Sequence, residues 1–138
     1  MEYTIGIVLA VVTFAIGRFV GFDRDRAFYP VVMIVIAAYY VLFAAIDGSA
    51  RALIIETAVG LVFATVAVIG FKSRLWLVAA AMAGHGVFDF FHAGLISNSG
   101  VPPWWPGFCG TIDIGLAILV ALMLRRGNQP VPSHAPVG

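Results

Sequence analysis

The chain has too little charge to be a soluble protein and too few special residues for several familiar chemistries. Charged residues fill 11% of its 138 positions, under half of the about 25% usual in soluble globular domains. Lysine occurs once, as Lys72 in a polar break, which excludes a buried retinal Schiff base. The single cysteine, Cys109, excludes an internal disulfide framework. A net charge of +1 with no basic run gives no footprint for nucleic acid. There is no G-x-S-x-G elbow, and no glycine-rich phosphate loop follows a strand.

What the chain does have is hydrophobic length. Apolar residues make up 62% of it, with a mean hydropathy of +1.02. Apolar runs at 3–21, 27–46, 50–70, 75–97 and 105–124 each approach the roughly 20 residues that cross a bilayer as a helix. In lipid a spanning segment must satisfy its own backbone hydrogen bonds. The expected fold is therefore all-α, a polytopic membrane helix bundle of five transmembrane helices in one domain over residues 1–126. The first run lacks the basic start and small-residue cleavage site of a secretory signal and reads as a retained span. The segment 127–138, "GNQPVPSHAPVG", is rich in proline and small polar residues and is expected to be a disordered tail, with no role for His134.

Orientation follows from the basic residues. Arg24 and Arg26, Lys72 and Arg74, and Arg125 and Arg126 all fall on one side of a five-span bundle, and only Arg51 falls on the other. The positive-inside rule then predicts an outside N-terminus and a cytoplasmic C-terminus in a cell membrane, here a bacterial inner membrane. Arg18 lies close enough to the cytoplasmic end to snorkel outward. Trp104 and Trp105, in "SNSGVPPWWPG", and Trp76 read as interfacial anchors. Asp47 and Arg51 read as a solvated loop pair, and Tyr39 and Tyr40 as packing and interhelical hydrogen-bonding groups.

Against this background one stretch stands out: "GHGVFDFFHAGL", residues 84–95. His85, Asp89 and His92 lie within about 60° of one another on a helix, since each residue turns roughly 100°. Small residues flank them: Ala79, Ala80, Ala81, Ala83, Gly84 and Gly86. Such residues let helices approach closely, so the polar stripe is expected to face protein. The last span offers Cys109 and Asp113, again four apart, and the third offers Glu56 about one turn inside its outer end. All five ionisable groups fall in the outer half of the bundle.

Glu56, Asp89 and Asp113 are then three intramembrane carboxylates with no lysine or arginine at their depth. An acid at the centre of a span costs about 2.5–3.5 kcal/mol. They must be protonated, paired with imidazolium, or neutralised by a metal cation. Three readings stay open. The groups can be scaffold hydrogen bonds between helices, worth about 0.6–2 kcal/mol each. They can be a metal site, with His85, Asp89, His92 and Asp113 as ligands for a divalent transition metal: zinc first, iron or manganese next. They can be a metal-free proton or ion relay. As a metal enzyme, the protein would activate water or oxygen for attack on a lipid or other apolar small molecule, with Glu56 or Asp113 in a catalytic role and Glu56 as general base. As a transporter or channel, it would pass a cation or protons along the same residues. A haem held by His85 and His92 is a poor fit, because one helix separates them by about 10 Å along its axis. The expected partners are membrane lipids, with a homo-oligomer open.

At these residues the chain resembles a family of small bacterial integral membrane proteins. The resemblance rests on Glu56, "HGVFDFFH", a proline-containing outer loop and "CGTID", a pattern H-x-x-x-D-x-x-H followed by C-x-x-x-D. The family's loop carries Asn-Pro where this chain has Asn98-Ser99. The resemblance implies a shared set of site residues and no particular reaction, since the family carries no established activity. A looser likeness is to membrane-embedded zinc hydrolases of the alkaline ceramidase and adiponectin receptor type. Those have seven spans and a third ligand histidine that this chain lacks.

Overall fold

The computed structural model describes residues 1–127. It is all-helical: α1 (Glu2–Ile16), α2 (Phe28–Asp47), α3 (Ala50–Lys72), α4 (Leu75–Leu95) and α5 (Trp105–Arg125), with no strand among the described residues. All five are long and apolar enough to cross a membrane once the π-helical turn Gly17–Gly21 is joined to α1. The predicted tail falls almost wholly outside the described residues, as does His134.

Local signals set the boundaries. Pro30 sits in the first turn of α2, where a missing N–H leaves no bond unmade. Gly48 ends that helix with φ of 76°, and its N–H bonds the carbonyls of Ala44 and Ala45. Ser49 then caps α3 by accepting from the Ala52 amide at 3.2 Å. The fourth helix stops at Leu95, two residues short of the predicted span, and Ile96 is extended. The early stop has a physical reason: it turns the chain back so that the Asn98 amide reaches the interior.

The helices run up and down. Gly6 of α1 lies against Phe108 and Thr111 of α5, and Ala10 against Gly115, so these two helices are parallel. The other sequential neighbours are antiparallel, as Gly60 beside Ala37 and Gly70 beside Val78 show for α2–α3 and α3–α4. The N-terminus, the α2–α3 turn and the α4–α5 loop thus share one end of the bundle, the amino face. The α1–α2 and α3–α4 connections and Gly127 share the other, the carboxyl face. Helix α4 is the most enclosed, packed against α5 and α3 and touching α2, whereas α1 and α3 lie at the periphery.

Burial is inverted relative to a soluble protein. Large apolar side chains cover the outside, among them Ile54, Leu61, Val62, Phe91 and Ile69. The buried set includes Asp23, Glu56, His85, Asp89, His92 and Asp113. A surface this apolar suits lipid and would associate in water.

Arg18 is exposed and reaches past its helix end, where its Nη1 donates to Asp23 Oδ2 at 3.0 Å. The expected Asp47–Arg51 pair is not formed: Asp47 is engaged instead by the Ser99 hydroxyl at 2.8 Å, a partner on the returning chain.

Candidate functional site

A close crossing of α4 and α5 positions the site. A Cβ on Gly86 of α4 would lie 2.9 Å from the Gly110 carbonyl oxygen, and one on Gly110 would lie 2.9 Å from that of Gly86. Neither helix could come as near with any larger residue. The same crossing brings the side chains one turn away together. A Cβ on Gly86 would also meet Asp113, and one on Gly110 would meet Asp89.

His85, Asp89 and Asp113 form the first group. His85 Nδ1 and Asp113 Oδ2 share a hydrogen bond of 2.7 Å, and Asp89 Oδ2 stands 3.6 Å from the same nitrogen. One ligand-type atom from each residue lies within 4.8 Å of the others. All three residues are at most 1% exposed. Both Asp89 oxygens and Asp113 Oδ1 are buried without a hydrogen-bond partner among the described residues. A buried carboxylate with both oxygens unpaired is costly, and its natural remedies are a proton or a cation.

His92 and Glu56 form a second, separate group. Glu56 Oε1 lies 2.7 Å from His92 Nε2 and accepts from Asn98 Nδ2 at 2.9 Å. The same amide reaches the Tyr40 carbonyl at 3.2 Å, tying the α4–α5 loop to α2 and α3. Seven residues of α4 separate His92 from His85, about 10 Å along the axis. Aromatic rings fill the interval. Tyr40 stacks on the His92 imidazole with centroids 3.9 Å apart, and Phe88 meets that imidazole edge-on at 5.5 Å. Phe63 presses edge-on against His85 at 4.8 Å.

Of the sequence-derived candidates, the structure joins His85, Asp89 and Asp113 in one group and couples His92 to Glu56 in another. Cys109, beside the glycine crossing, is buried with its thiol next to Asp89 and Asp113. Trp105 packs on Tyr39 and Phe43, while Trp104 and Trp76 are exposed. Sequence reasoning missed Asn98 as a contact of Glu56, the stacking of Tyr40 and the pairing of Gly86 with Gly110. Asn98 had a usable signal: a lone amide in an apolar loop at the depth of Glu56. The glycine pairing had none, since it needs the register of two helices.

By their type and proximity these three residues could hold a metal ion. At a metal–ligand distance of about 2.0–2.2 Å, two ligands of a tetrahedral ion sit about 3.4 Å apart. The 3.6 Å between His85 Nδ1 and Asp89 Oδ2 is close to that, and 2.7 Å between His85 and Asp113 needs only a small opening. One imidazole and two carboxylates suit zinc, iron or manganese, and three protein ligands leave a coordination position open. Comparison with protein-family models, curated proteins and solved structures finds no match to this chain.

Proposed function

We propose that this is a multi-pass protein of a bacterial cell membrane that binds one divalent transition metal at His85, Asp89 and Asp113, zinc being the first choice. One observation carries the reading: the fully buried Asp89 carboxylate has no partner for either oxygen and stands beside a second carboxylate and an imidazole. No lysine or arginine takes part in the group. Hydrogen bonds between helices account for the His85–Asp113 contact; for Asp89 they would need the nearby Tyr40 hydroxyl, itself buried without a partner, to close in. The resemblance to small bacterial membrane proteins is part of this proposal, as is an outside N-terminus.

When bound, such an ion polarises a carbonyl or phosphoryl oxygen or lowers the pKa of a water molecule. The chain's own groups then have distinct tasks. Without the ion Asp113 holds the His85 ring through Nδ1; on binding, that nitrogen and the Asp113 carboxylate would both turn to the ion, while the glycine crossing keeps Asp113 and Asp89 at one depth. Glu56 keeps one oxygen free of hydrogen bonds and is oriented by His92 and Asn98; aromatic rings part it from the ion's ligands, so it would accept a proton through intervening groups and not directly from a water on the ion. His92, a ligand candidate from sequence, would have to leave Glu56 to reach the ion. For a site inside an apolar bundle the substrate class is a lipid or other apolar molecule, and the reaction a metal-dependent hydrolysis or oxidation.

One observation favours a second reading. Two short histidine–carboxylate pairs stand in series along α4, with the Tyr40 ring against the outer one. This is the arrangement of a proton or cation relay.

Elemental analysis of protein purified in mild detergent without chelator separates the two. About one equivalent of zinc, iron or manganese is expected, lost in His85→Ala and Asp113→Asn and kept in His92→Phe. Protein with under about a tenth of an equivalent that also fails to take up added metal overturns the metal reading and leaves the relay.

A further inference from the structure

A cavity lies at the carboxyl face between α1 and α5, remote from the histidines. Its volume is about 320 Å³, and its lining is Phe14, Arg18, Leu119, Leu122, Met123 and Arg126. Two guanidinium groups therefore share one hollow with four apolar side chains. Such a lining suits a ligand that is anionic at one end and hydrocarbon at the other.

The local structure holds Arg18 there. The helix opens into a π-turn from Gly17 to Gly21, an irregularity that shifts side-chain direction and recurs at functional sites. Asp23, 2% exposed, then takes one Arg18 nitrogen at 3.0 Å, and that nitrogen also lies 3.7 Å from the Met123 sulfur. The remaining guanidinium N–H groups stay available. Arg126 is exposed and makes no ion pair among the described residues. The face as a whole is cationic, with Arg18, Arg24, Arg26, Lys72, Arg74, Arg125 and Arg126 against Asp23 and Asp25.

We propose that this cavity binds one anionic phospholipid, its phosphate between Arg18 and Arg126 and the start of its acyl chains against Phe14, Leu119, Leu122 and Met123. Basic pockets between spanning helices are a recognised form of headgroup site, and arginine forks match phosphate oxygens. The apolar wall argues for a lipid over a free phosphate, which has no use for it. The proposal goes beyond the metal reading and is independent of it.

Native mass spectrometry of the full chain in mild detergent tests the assignment, with dioleoyl phosphatidylglycerol and dioleoyl phosphatidylcholine titrated separately. The wild type is expected to retain one phosphatidylglycerol at least about fivefold more tightly than phosphatidylcholine. The Arg126→Gln variant should weaken that binding about fivefold, the share of one surface arginine. Arg51→Gln, on the opposite face, should leave it unchanged. Arg18→Gln strips buried Asp23 of its partner and can unfold the turn, so Arg126→Gln decides. Equal retention of the two lipids, or no effect of Arg126→Gln, overturns the proposal. So does inorganic phosphate at millimolar concentration if it is retained in an Arg126-dependent way and displaces the lipid, since the site would then be one for a free anion.

Discussion

Gly86 and Gly110 meet across α4 and α5 so closely that a methyl group on either would lie 2.9 Å from the other's carbonyl oxygen. The contact sets the depth at which Asp89 and Asp113 face each other. Gly86→Ala or Gly110→Ala should therefore force the helices apart, costing about 1–3 kcal/mol as overpacking does. Gly84→Ala is the control, because its Cβ would meet only a Phe63 carbon at an ordinary 3.8 Å. Thermal unfolding in detergent checks the pair: a Gly86→Ala protein as stable as Gly84→Ala would mean that the crossing is looser than the geometry here.

Asp89 should respond in opposite directions with and without metal. In the chelated protein, Asp89→Asn removes an unpaired buried charge and should raise the melting temperature. In metal-saturated protein, the wild type gains about 2.7 kcal/mol at a metal concentration a hundredfold above Kd, and the variant should lose most of that. Melting curves with zinc and with chelator show whether the two orders cross. If Asp89→Asn destabilises both forms alike, Asp89 is a structural hydrogen-bonding group and not a ligand.

His92 and Glu56 should behave as a coupled unit. Glu56→Leu leaves the buried His92 nitrogen without its partner, at about 1–3 kcal/mol. His92→Phe keeps a ring to stack on Tyr40 but leaves Glu56 Oε1 with Asn98 alone. The double variant Glu56→Leu/His92→Phe should be less destabilised than the sum of these two single changes. Strict additivity in a chemical or thermal denaturation cycle would show that the 2.7 Å contact contributes no coupling.

Topology is testable without purification. A fluorescent reporter fused to the C-terminus should mature, and a periplasmic phosphatase at the same place should stay inactive. The opposite result would put the His92–Glu56 pair at the cytoplasmic side.

The helices themselves were legible in the sequence, because each must satisfy its backbone internally and be about 20 residues long in lipid. The runs at 27–46, 50–70 and 105–124 match α2, α3 and α5 to within two residues at each end. The same logic marked Glu56, His85, Asp89, His92 and Asp113, since ionisable groups in apolar spans are rare enough to stand out one by one. Helical spacing put His85, Asp89 and His92 on one face of α4. It could not say which carboxylate each would meet. That choice depends on how far α4 slides along α5 and α3, and two contacts between backbones decide it. The Gly86–Gly110 crossing aligns His85 with Asp113, and the early end of α4 returns Asn98 to Glu56, leaving His92 to pair there. Composition determined the solvent, the spans and the candidate residues; only packing decided that they form two groups with an aromatic wall between them.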